Sequence, residues 1–376
     1  MHSVSLHYTL AHRDDSDTSV NNEAPLLRHP LMDLLQAVAQ KGSISAAARE
    51  LNLSYRHVWG ELKRWEDVLG HELIIWEKGQ SAKLTEFGSK LMWAERQTQA
   101  RLAPQLEALR ADLERTFAVA FDPDAHVLTL YASHDDALPR LREQAATTGL
   151  HLDIRFCGSV DAIRALNEGR CTLAGFHTQS HPHDNTHTAQ AYRSLLQPGL
   201  HKIIGFATRT QGLITTAGNP MQLQNLRDVA RTQARFVQRS PGTGTRVLLD
   251  DLLAQDQLTV DDLHNWPDEE PSHTALAEAI ASGRCDVGLG IESTARARGL
   301  GFVPLVQEAF HLVCLKSALD TPATQALRSL LQTPTWQDTL NTLPGYQAQD
   351  SGHVQSLSQQ LPWWTFKQAK KTRHPQ

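Results

Sequence analysis

The chain is poor in cysteine, has no long apolar run and carries no excess of positive charge, and each absence excludes something. Only four of its 376 residues are cysteine. Cys157, Cys171, Cys285 and Cys314 form no C-x-x-C pair. They therefore read as reduced, mostly buried thiols of a cytoplasmic protein, not as a disulfide framework or a zinc site. No apolar run approaches the ~18 residues of a membrane span, so no membrane partner is expected. The opening stretch MHSVSLHYTLAHRDDSD has no long apolar core of the secretory kind, which argues against a secreted transport-binding protein. Lys plus Arg number 36 and Asp plus Glu 41, a formal net charge of -5. A basic coat over the whole molecule is excluded, whereas a local basic surface is not. There is no G-x-S-x-G elbow, no H-E-x-x-H and no Walker loop; Arg239–Arg246 (RSPGTGTR) lacks the Lys-Ser/Thr of a phosphate loop. The chain is not expected to be an enzyme or to require a cofactor.

What is present divides the chain into parts. Residues 1–28 are polar and without period, a loose arm. Across 29–90 apolar residues fall at helical spacing in short segments broken at Gly42, Leu53-Ser54 and Gly70. A nearly unbroken helical pattern then runs from Thr85 to about Phe117, with Pro104 as its expected kink; residues 91–121 are its linker portion, closed by Asp122-Pro123-Asp124. From His126 short β-branched runs alternate with amphipathic helices, as in HVLTLYA then DDALPRLREQA, or ARFVQ then GTRVLLDDLLAQ. Such alternation predicts parallel sheet in an α/β domain, assigned to 122–360. A tail at 361–376 ends in Lys367, Lys370, Lys371 and Arg373.

In the N-terminal part, Leu34, Leu35 and Val38 share one helical face. Ser45 precedes the small Ala46-Ala47-Ala48, Leu51 and Leu53 bracket a tight turn at Asn52, and Ser54 stands where a hydroxyl caps a helix. Val58, Leu62, Trp65 and Leu69 recur at inward spacing, while Tyr55, Arg56, Trp59, Gly60, Lys63 and Arg64 take the opposite face. Two helices joined by a short turn, the second exposing donors at its start, form a helix-turn-helix that fits a major groove. Ile74–Trp76, a loop through Gly79 and Lys83–Leu84 supply a β-wing. This segment resembles the winged helix-turn-helix of LysR-type regulators, and S-Y-R-x-x-W (Ser54, Tyr55, Arg56, Trp59) is closer to bacterial molybdate-responsive repressors. The resemblance implies contacts to a double-stranded DNA operator from Ser54, Tyr55, Arg56, Trp59 and Lys63. Trp59 fits a core role equally well. The following helix stands where LysR-type proteins dimerise. Its stripe of Leu91, Leu102, Leu106, Leu109 and Leu113 needs a partner, either its own chain or a second copy; a homodimer or higher homo-oligomer is expected.

In the C-terminal part four strand ends lead into helix starts rich in Ser, Thr, Gly or His: Ser133-His134-Asp135, Gly158-Ser159, Ser240 with Pro241–Arg246, and Ser272-His273-Thr274. Amides at helix starts suit anions, and open α/β sheets bind ligands at strand carboxyl ends. The candidate ligand-binding residues are Ser133, His134, Asp135, Ser159, Ser240, Thr243, Gly244, Thr245, Arg246 and His273. The stretch QGLITTAGNP…RFVQRSPGTGTRVLLDDLL…EEPSHTALAEAIASGRCDVGLGIESTARARGLGFVPL resembles a branch of periplasmic-binding-protein-like domains found fused to helix-turn-helix and molybdopterin-biosynthesis domains. The resemblance implies a type II, two-lobed domain with lobe one at 126–208 plus 307–360 and lobe two at 209–306. The strands that cross between lobes are placed near Phe206–Leu213 and Val303–Phe310. It also implies a small anionic effector: molybdate, tungstate or a pterin form of the molybdenum cofactor. Val160-Asp161-Ala162 departs from the small residues usual after G-S, and an acid there would repel an anion if it faced the cleft. Val237-Gln238-Arg239-Ser240 departs from the usual run ahead of the Gly-rich loop. His181, His183, Asp184 and His187, with His177 nearby, read as a solvated loop before they read as a metal site; the metal expectation is none. Taken together, the sequence predicts a cytoplasmic one-component transcriptional regulator with a winged helix-turn-helix, a long linker helix and a two-lobed α/β effector domain, linked to molybdoenzyme or oxyanion metabolism. The other reading is a non-DNA accessory protein that binds or delivers molybdenum cofactor.

Overall fold

A computed structural model of the chain describes residues 29–75, 81–121, 126–180 and 183–364. The arm at 1–28, Trp76 and Gly79 of the wing, the helix stop at Asp122–Asp124, His181, and the basic stretch of the tail lie outside the described residues. The chain divides into two compact units at Ala103/Pro104.

In the first unit, helix α1 (Pro30–Lys41) ends at Gly42, α2 (Ile44–Glu50) is capped by the Ser43 hydroxyl, and α3 (Tyr55–Leu69) is capped by Ser54 and ends at Gly70. The turn between α2 and α3 passes through Asn52 at φ 54°, a left-handed conformation that asparagine tolerates better than most residues. Strands β1 (Ile74–Ile75) and β2 (Lys83–Leu84) pair antiparallel as the wing. Leu34, Leu35, Val38, Val58 and Leu62 are fully buried in this unit's core, and Trp65 and Leu69 pack against it partly buried. Helix α4 covers Glu86–Phe121 and runs through Pro104. It starts five residues before the linker boundary drawn at 91, because the Thr85 hydroxyl caps the amide of Gly88 and begins the helix inside the wing's last strand turn.

In the second unit strands and helices alternate: β3 (His126–Ala132), α5 (Ala137–Ala146), β4 (Leu150–Phe156), α6 (Ser159–Asn167), β5 (Leu173–Gln179), α7 (His187–Arg193), β6 (His201–Thr215), α8 (Leu226–Thr232), β7 (Arg235–Arg239), α9 (Gly244–Gln255), β8 (His264–Glu270), α10 (His273–Ala281), β9 (Val287–Ile291), α11 (Glu292–Arg296), β10 (Gly301–Leu315), α12 (Pro322–Leu331), α13 (Pro334–Asn341), β11 (Tyr346–Gln347), β12 (Val354–Ser356) and α14 (Leu357–Gln360). The strand order is β4-β3-β5-β10-β6-β9-β7-β8, with β11 and β12 added on β6. The sheet is parallel within β4-β3-β5 and within β8-β7-β9, and antiparallel where β10 and β6 join the two sets. These two 15-residue strands contain both expected crossings. One set therefore builds each lobe, and β6 and β10 belong to both.

Three details differ from the sequence reading. GFVPL and FHLVCL are one strand, β10, because Val306–Glu308 between them continues the ladder with β6. Strand β8 (HNWPDEE) has no apolar alternation; it lies at the sheet edge, where proline and charge are tolerated. Lobe one continues past residue 360: Leu361 and Trp363 are buried in its core, and the Trp363 indole donates to the His183 carbonyl at 3.1 Å.

Candidate DNA-binding and ligand-binding sites

Helix α3 presents the DNA candidates. Ser54 accepts from the His57 amide at 3.1 Å, so its hydroxyl is committed to capping. Tyr55 and Arg56 are exposed. Trp59 is half-buried against the core while its ring stacks parallel to Tyr55 at 6.4 Å, so it serves packing and surface at once. The Lys63 ammonium lies 5.1 Å from the Trp59 ring and 2.6 Å from Glu66 Oε2. Glu66 is buried and its other oxygen accepts from the amides of Leu73 and Ile74. Its carboxyl is held below the usual range: burial opposes the charge, and the Lys63 and two amide contacts outweigh burial. The residue that touches Lys63 thus also ties the wing to α3. The sequence reading passed over Glu66 because an acid beside Lys63 and Arg64 on an amphipathic helix looks like ordinary surface charge.

In the second unit the helices α5, α6, α9 and α10 all begin beside one buried group. Ser133, His134, Asp135, Ser159, Thr243, Gly244, Thr245 and His273 are buried. Ser133 Oγ lies 3.3 Å from Ser159 Oγ, which lies 3.5 Å from His177 Nδ1. A side chain at Gly244 would stand 3.0 Å from His177 Nδ1 and 3.2 Å from Ser159 Oγ. One at Gly158 would stand 2.6 Å from the carbonyl oxygen of Gly242. Only glycine allows these loops of lobe one and lobe two to touch backbone to backbone. Thr245 Oγ1 is 3.4 Å from His273 Nε2.

Beneath this group lies a set that the sequence reading missed. Arg209 is fully buried and donates to Asp135 and Glu308. Tyr346 donates to Asp135 at 2.7 Å, and Gln211 Nε2 donates to Glu308 at 2.8 Å and to Thr245 Oγ1 at 3.0 Å. Because Thr245 Oγ1 accepts from Gln211, its own hydrogen is available to His273 Nε2, and the Nδ1 of His273 then carries the ring proton. Arg239 donates to the carbonyls of Glu270 and Pro271, at 3.1 and 2.9 Å. Among the described residues, three buried nitrogens of the group meet no hydrogen-bond partner: His177 Nε2, His273 Nδ1 and Arg239 Nη1. Groups so buried cost free energy when unmet.

The remaining candidates sit elsewhere. Arg246 directs its guanidinium to Asp250 and Glu269, each at 3.7 Å. Ser240 closes the Gly-rich turn, its carbonyl accepting from the Thr243 hydroxyl at 2.8 Å. Thr243 also caps α9. Asp161 is exposed and pairs with Arg164, so it does not face the buried group. His183, Asp184 and His187 are exposed, whereas His177 is buried; among the described residues no group of three His, Cys, Asp or Glu is placed to hold a metal ion.

Two further contacts join the lobes. Asp251 of α9 accepts from the His187 amide at 2.5 Å and the Thr188 hydroxyl at 2.5 Å, at the start of α7. Asp136 accepts from Ser293 at 2.6 Å and Thr294 at 2.9 Å.

Burial sets the protonation of the group. It holds His134 down at about 4, and holds His177 and His273 well below the usual histidine value with help from Arg239 and Arg209. His311, buried behind them, is also pushed to about 4. Burial, and then repulsion from Arg209, brings Arg239 down to about 9. Burial opposes charge on Arg209 as well, but Glu308, Tyr346 and Asp135 outweigh it and keep the guanidinium protonated.

These histidines tie stability to pH. Above the ordinary value near 6.5 both folded and unfolded forms are neutral, and the fold has its full stability. As pH falls below 6.5 the unfolded chain takes protons that the folded one refuses, until the folded value is reached near 4 for His134 and His311. Each contributes about 3 kcal/mol over that window. The melting temperature should therefore fall steeply as pH is lowered from about 6.5 to 4.5, and His311→Phe should flatten the fall; an unchanged melting temperature across this window contradicts the assignment.

Residues 30–89 match the family described as bacterial regulatory helix-turn-helix protein, lysR family, and residues 141–332 match the PBP superfamily domain. Among curated proteins the chain is similar to the uncharacterized protein YvgK of Bacillus subtilis (strain 168), 25% identical over 234 residues that cover 62% of this chain and 75% of that one. It is also similar to an uncharacterized protein of Clostridium pasteurianum from the ferredoxin 2Fe-2S gene 5' region, 28% identical over 112 residues that cover 29% of this chain and 96% of that one. Among solved structures it is similar to a Corynebacterium glutamicum OxyR mutant, with 17% identity, 81% and 91% of the two chains covered and a TM-score of 0.40. No helix among the described residues is long and apolar enough to cross a membrane. With the family match spanning half its length, the chain belongs to the PBP superfamily, here joined to a lysR-family helix-turn-helix as a LysR-type DNA-binding transcriptional regulator with a ligand-binding domain.

Proposed function

We propose that the regulator senses a small oxyanion held between its lobes, and that the bound state sets the geometry of two DNA-binding heads in a dimer. The observation that carries this reading is the buried group of hydroxyls and unmet nitrogens: Ser133 and Ser159 beside His177 Nε2, His273 Nδ1 and Arg239 Nη1. An oxyanion offers acceptors only and meets all of them; charge-assisted bonds of this kind are the strong ones.

The charge balance adds a condition. Buried Asp135, Glu270 and Glu308 face Arg209 and Arg239, so the carboxylates outnumber the guanidiniums. A dianion enters only if protons come with it, and neutral His134, His177 and His273 are at hand to take them. Binding is thus coupled to proton uptake. The resemblance to molybdenum-associated domains supports molybdate and tungstate as guests. A phosphate-bearing pterin would need a guanidinium at the cleft mouth, and Arg246 is engaged by Asp250 and Glu269, which favours the compact guest.

Calorimetry on the full chain tests the reading. Molybdate or tungstate should bind, more tightly at about pH 6 than at about pH 8 and with heats that depend on the buffer's ionisation enthalpy, whereas Gly244→Val should abolish binding. If neither anion binds, or if affinity rises with pH, the reading fails.

The DNA head gives a second expectation. Arg56 is exposed on α3 and away from the buried Val58 and Leu62. Arg56→Ala should preserve folding and cost about 1–3 kcal/mol of affinity for DNA from upstream of the protein's own gene. Undiminished affinity would show that another surface reads the operator.

The dimer rests on α4. Leu109, Leu113 and Phe117 are exposed large apolar side chains on one helix, a surface that calls for cover. Sedimentation should show dimers or higher oligomers at micromolar concentration, and Leu109→Glu with Leu113→Glu should give monomers. A wild type that sediments as a monomer contradicts the expectation.

A further inference from the structure

A cavity of about 450 Å³ lies on lobe one, against the crossing strands. Its place follows from the pairing of β6. Strand β11 pairs with Thr208 and Arg209, and β12 with Lys202–Ile204, so Phe206 and Ala207 lie in the gap between the two short strands. On the other edge of β6 the register with β10 slips at the same point: Phe310 faces Ala207, and His311 faces Gly205, leaving Phe206 without a partner. Bulges of this kind take backbone polar groups out of the ladder.

The lining has one dominant chemistry. Gln307, Gln347, Gln349, Gln355 and Gln360 all line the cavity. Each side-chain amide is both donor and acceptor. Among the described residues no lysine or arginine belongs to the lining, and its one carboxylate there, Asp350, is exposed. His311, which also lines it, is held neutral by burial, and its Nε2 meets Thr178 Oγ1 at 3.0 Å. An anionic guest would find no counter-charge here, a cationic one would find only the solvent-exposed Asp350, and an apolar guest would leave the amides unmet. A molecule whose groups donate and accept in alternation satisfies them, and hydroxyls do so. The volume lies in the usual range of about 300–1,000 Å³ for small-molecule sites.

We propose that this cavity is a second binding site, for a small uncharged polyhydroxylated molecule of monosaccharide size. It is separate from the anion group between the lobes, and its floor is made of the same two strands. The residues that follow on those strands are Arg209 and Glu308, and Gln307 of the lining donates to Thr210 across them at 2.7 Å. An occupant on the bulge therefore bears on the segment that joins the lobes.

The test uses the full chain, calorimetry and thermal shift, with D-glucose, D-ribose and myo-inositol as probes and gluconate and glucosamine as charged comparators of the same size. At least one uncharged probe should bind with a dissociation constant below about 10 mM, and the comparators should bind at least tenfold more weakly. Gln355→Ala with Gln360→Ala, both half-buried and away from the anion group, should weaken the uncharged probe about tenfold without altering oxyanion binding. Ala309→Phe, which fills the cavity, should do the same if it folds. Absence of binding by all three uncharged probes, tighter binding of a comparator, or a probe indifferent to the double glutamine variant overturns the proposal. Loss of oxyanion binding alone would leave it standing.

Discussion

The second unit depends on one buried guanidinium. Arg209 sits on β6 where that strand passes between lobes, and it is clamped by Asp135 from the loop after β3 and Glu308 from β10. Tyr346, the first residue of β11, adds a bond to Asp135. Four segments distant in sequence thus meet on one charge. Removing one member of such a set leaves an unpaired buried charge and costs about 3–5 kcal/mol, whereas the intact set adds little net stability. Its effect is geometric. It holds the two crossing strands and the Ser133–Asp135 loop in one relation, and through Gln211 it sets the Thr245 hydroxyl and the proton position on His273.

The lobes then meet through polar contacts that act at different depths. Gly158 and Gly242 touch at the backbone, Asp251 holds the start of α7, and Asp136 holds Ser293 and Thr294. None of these contacts is broad or apolar, which suits a pair of bodies that part and rejoin. An anion seated among His177, His273 and Arg239 adds to the joined state only what it fails to find in the parted one. The three nitrogens come from β5, α10 and β7, hence from both lobes, and this is the source of that difference.

Much of the fold was legible because it rests on local rules. Gly42, Ser54, Asn52 and Gly70 mark the ends of α1 to α3 as their chemistry requires. Strand–helix alternation marked the α/β unit, and the Ser/Thr/Gly starts of α6, α9 and α10 marked the loops that converge. The deepest part of the site was not legible, because Arg209, Gln211 and Glu308 occur inside runs that read simply as crossing strands, and only antiparallel pairing brings them together. His177 was grouped with the neighbouring loop histidines; strand β5 turns it inward while His183 and His187 stay outside. Arg246 looked like a ligand group because it follows the Gly-rich turn. Yet Asp250 stands one helical turn on, and i, i+4 pairs of this kind draw an arginine along the helix surface.

On the proposed function, an oxyanion between the lobes should change how the heads hold DNA. The most direct test is fluorescence anisotropy of DNA from upstream of the protein's own gene, titrated with the full chain in the presence and absence of tungstate or molybdate, for wild type and Arg239→Ala. The oxyanion should shift wild-type operator affinity by about tenfold or more and leave Arg239→Ala unmoved. An operator affinity indifferent to both oxyanions, or an equal shift in Arg239→Ala, would contradict it.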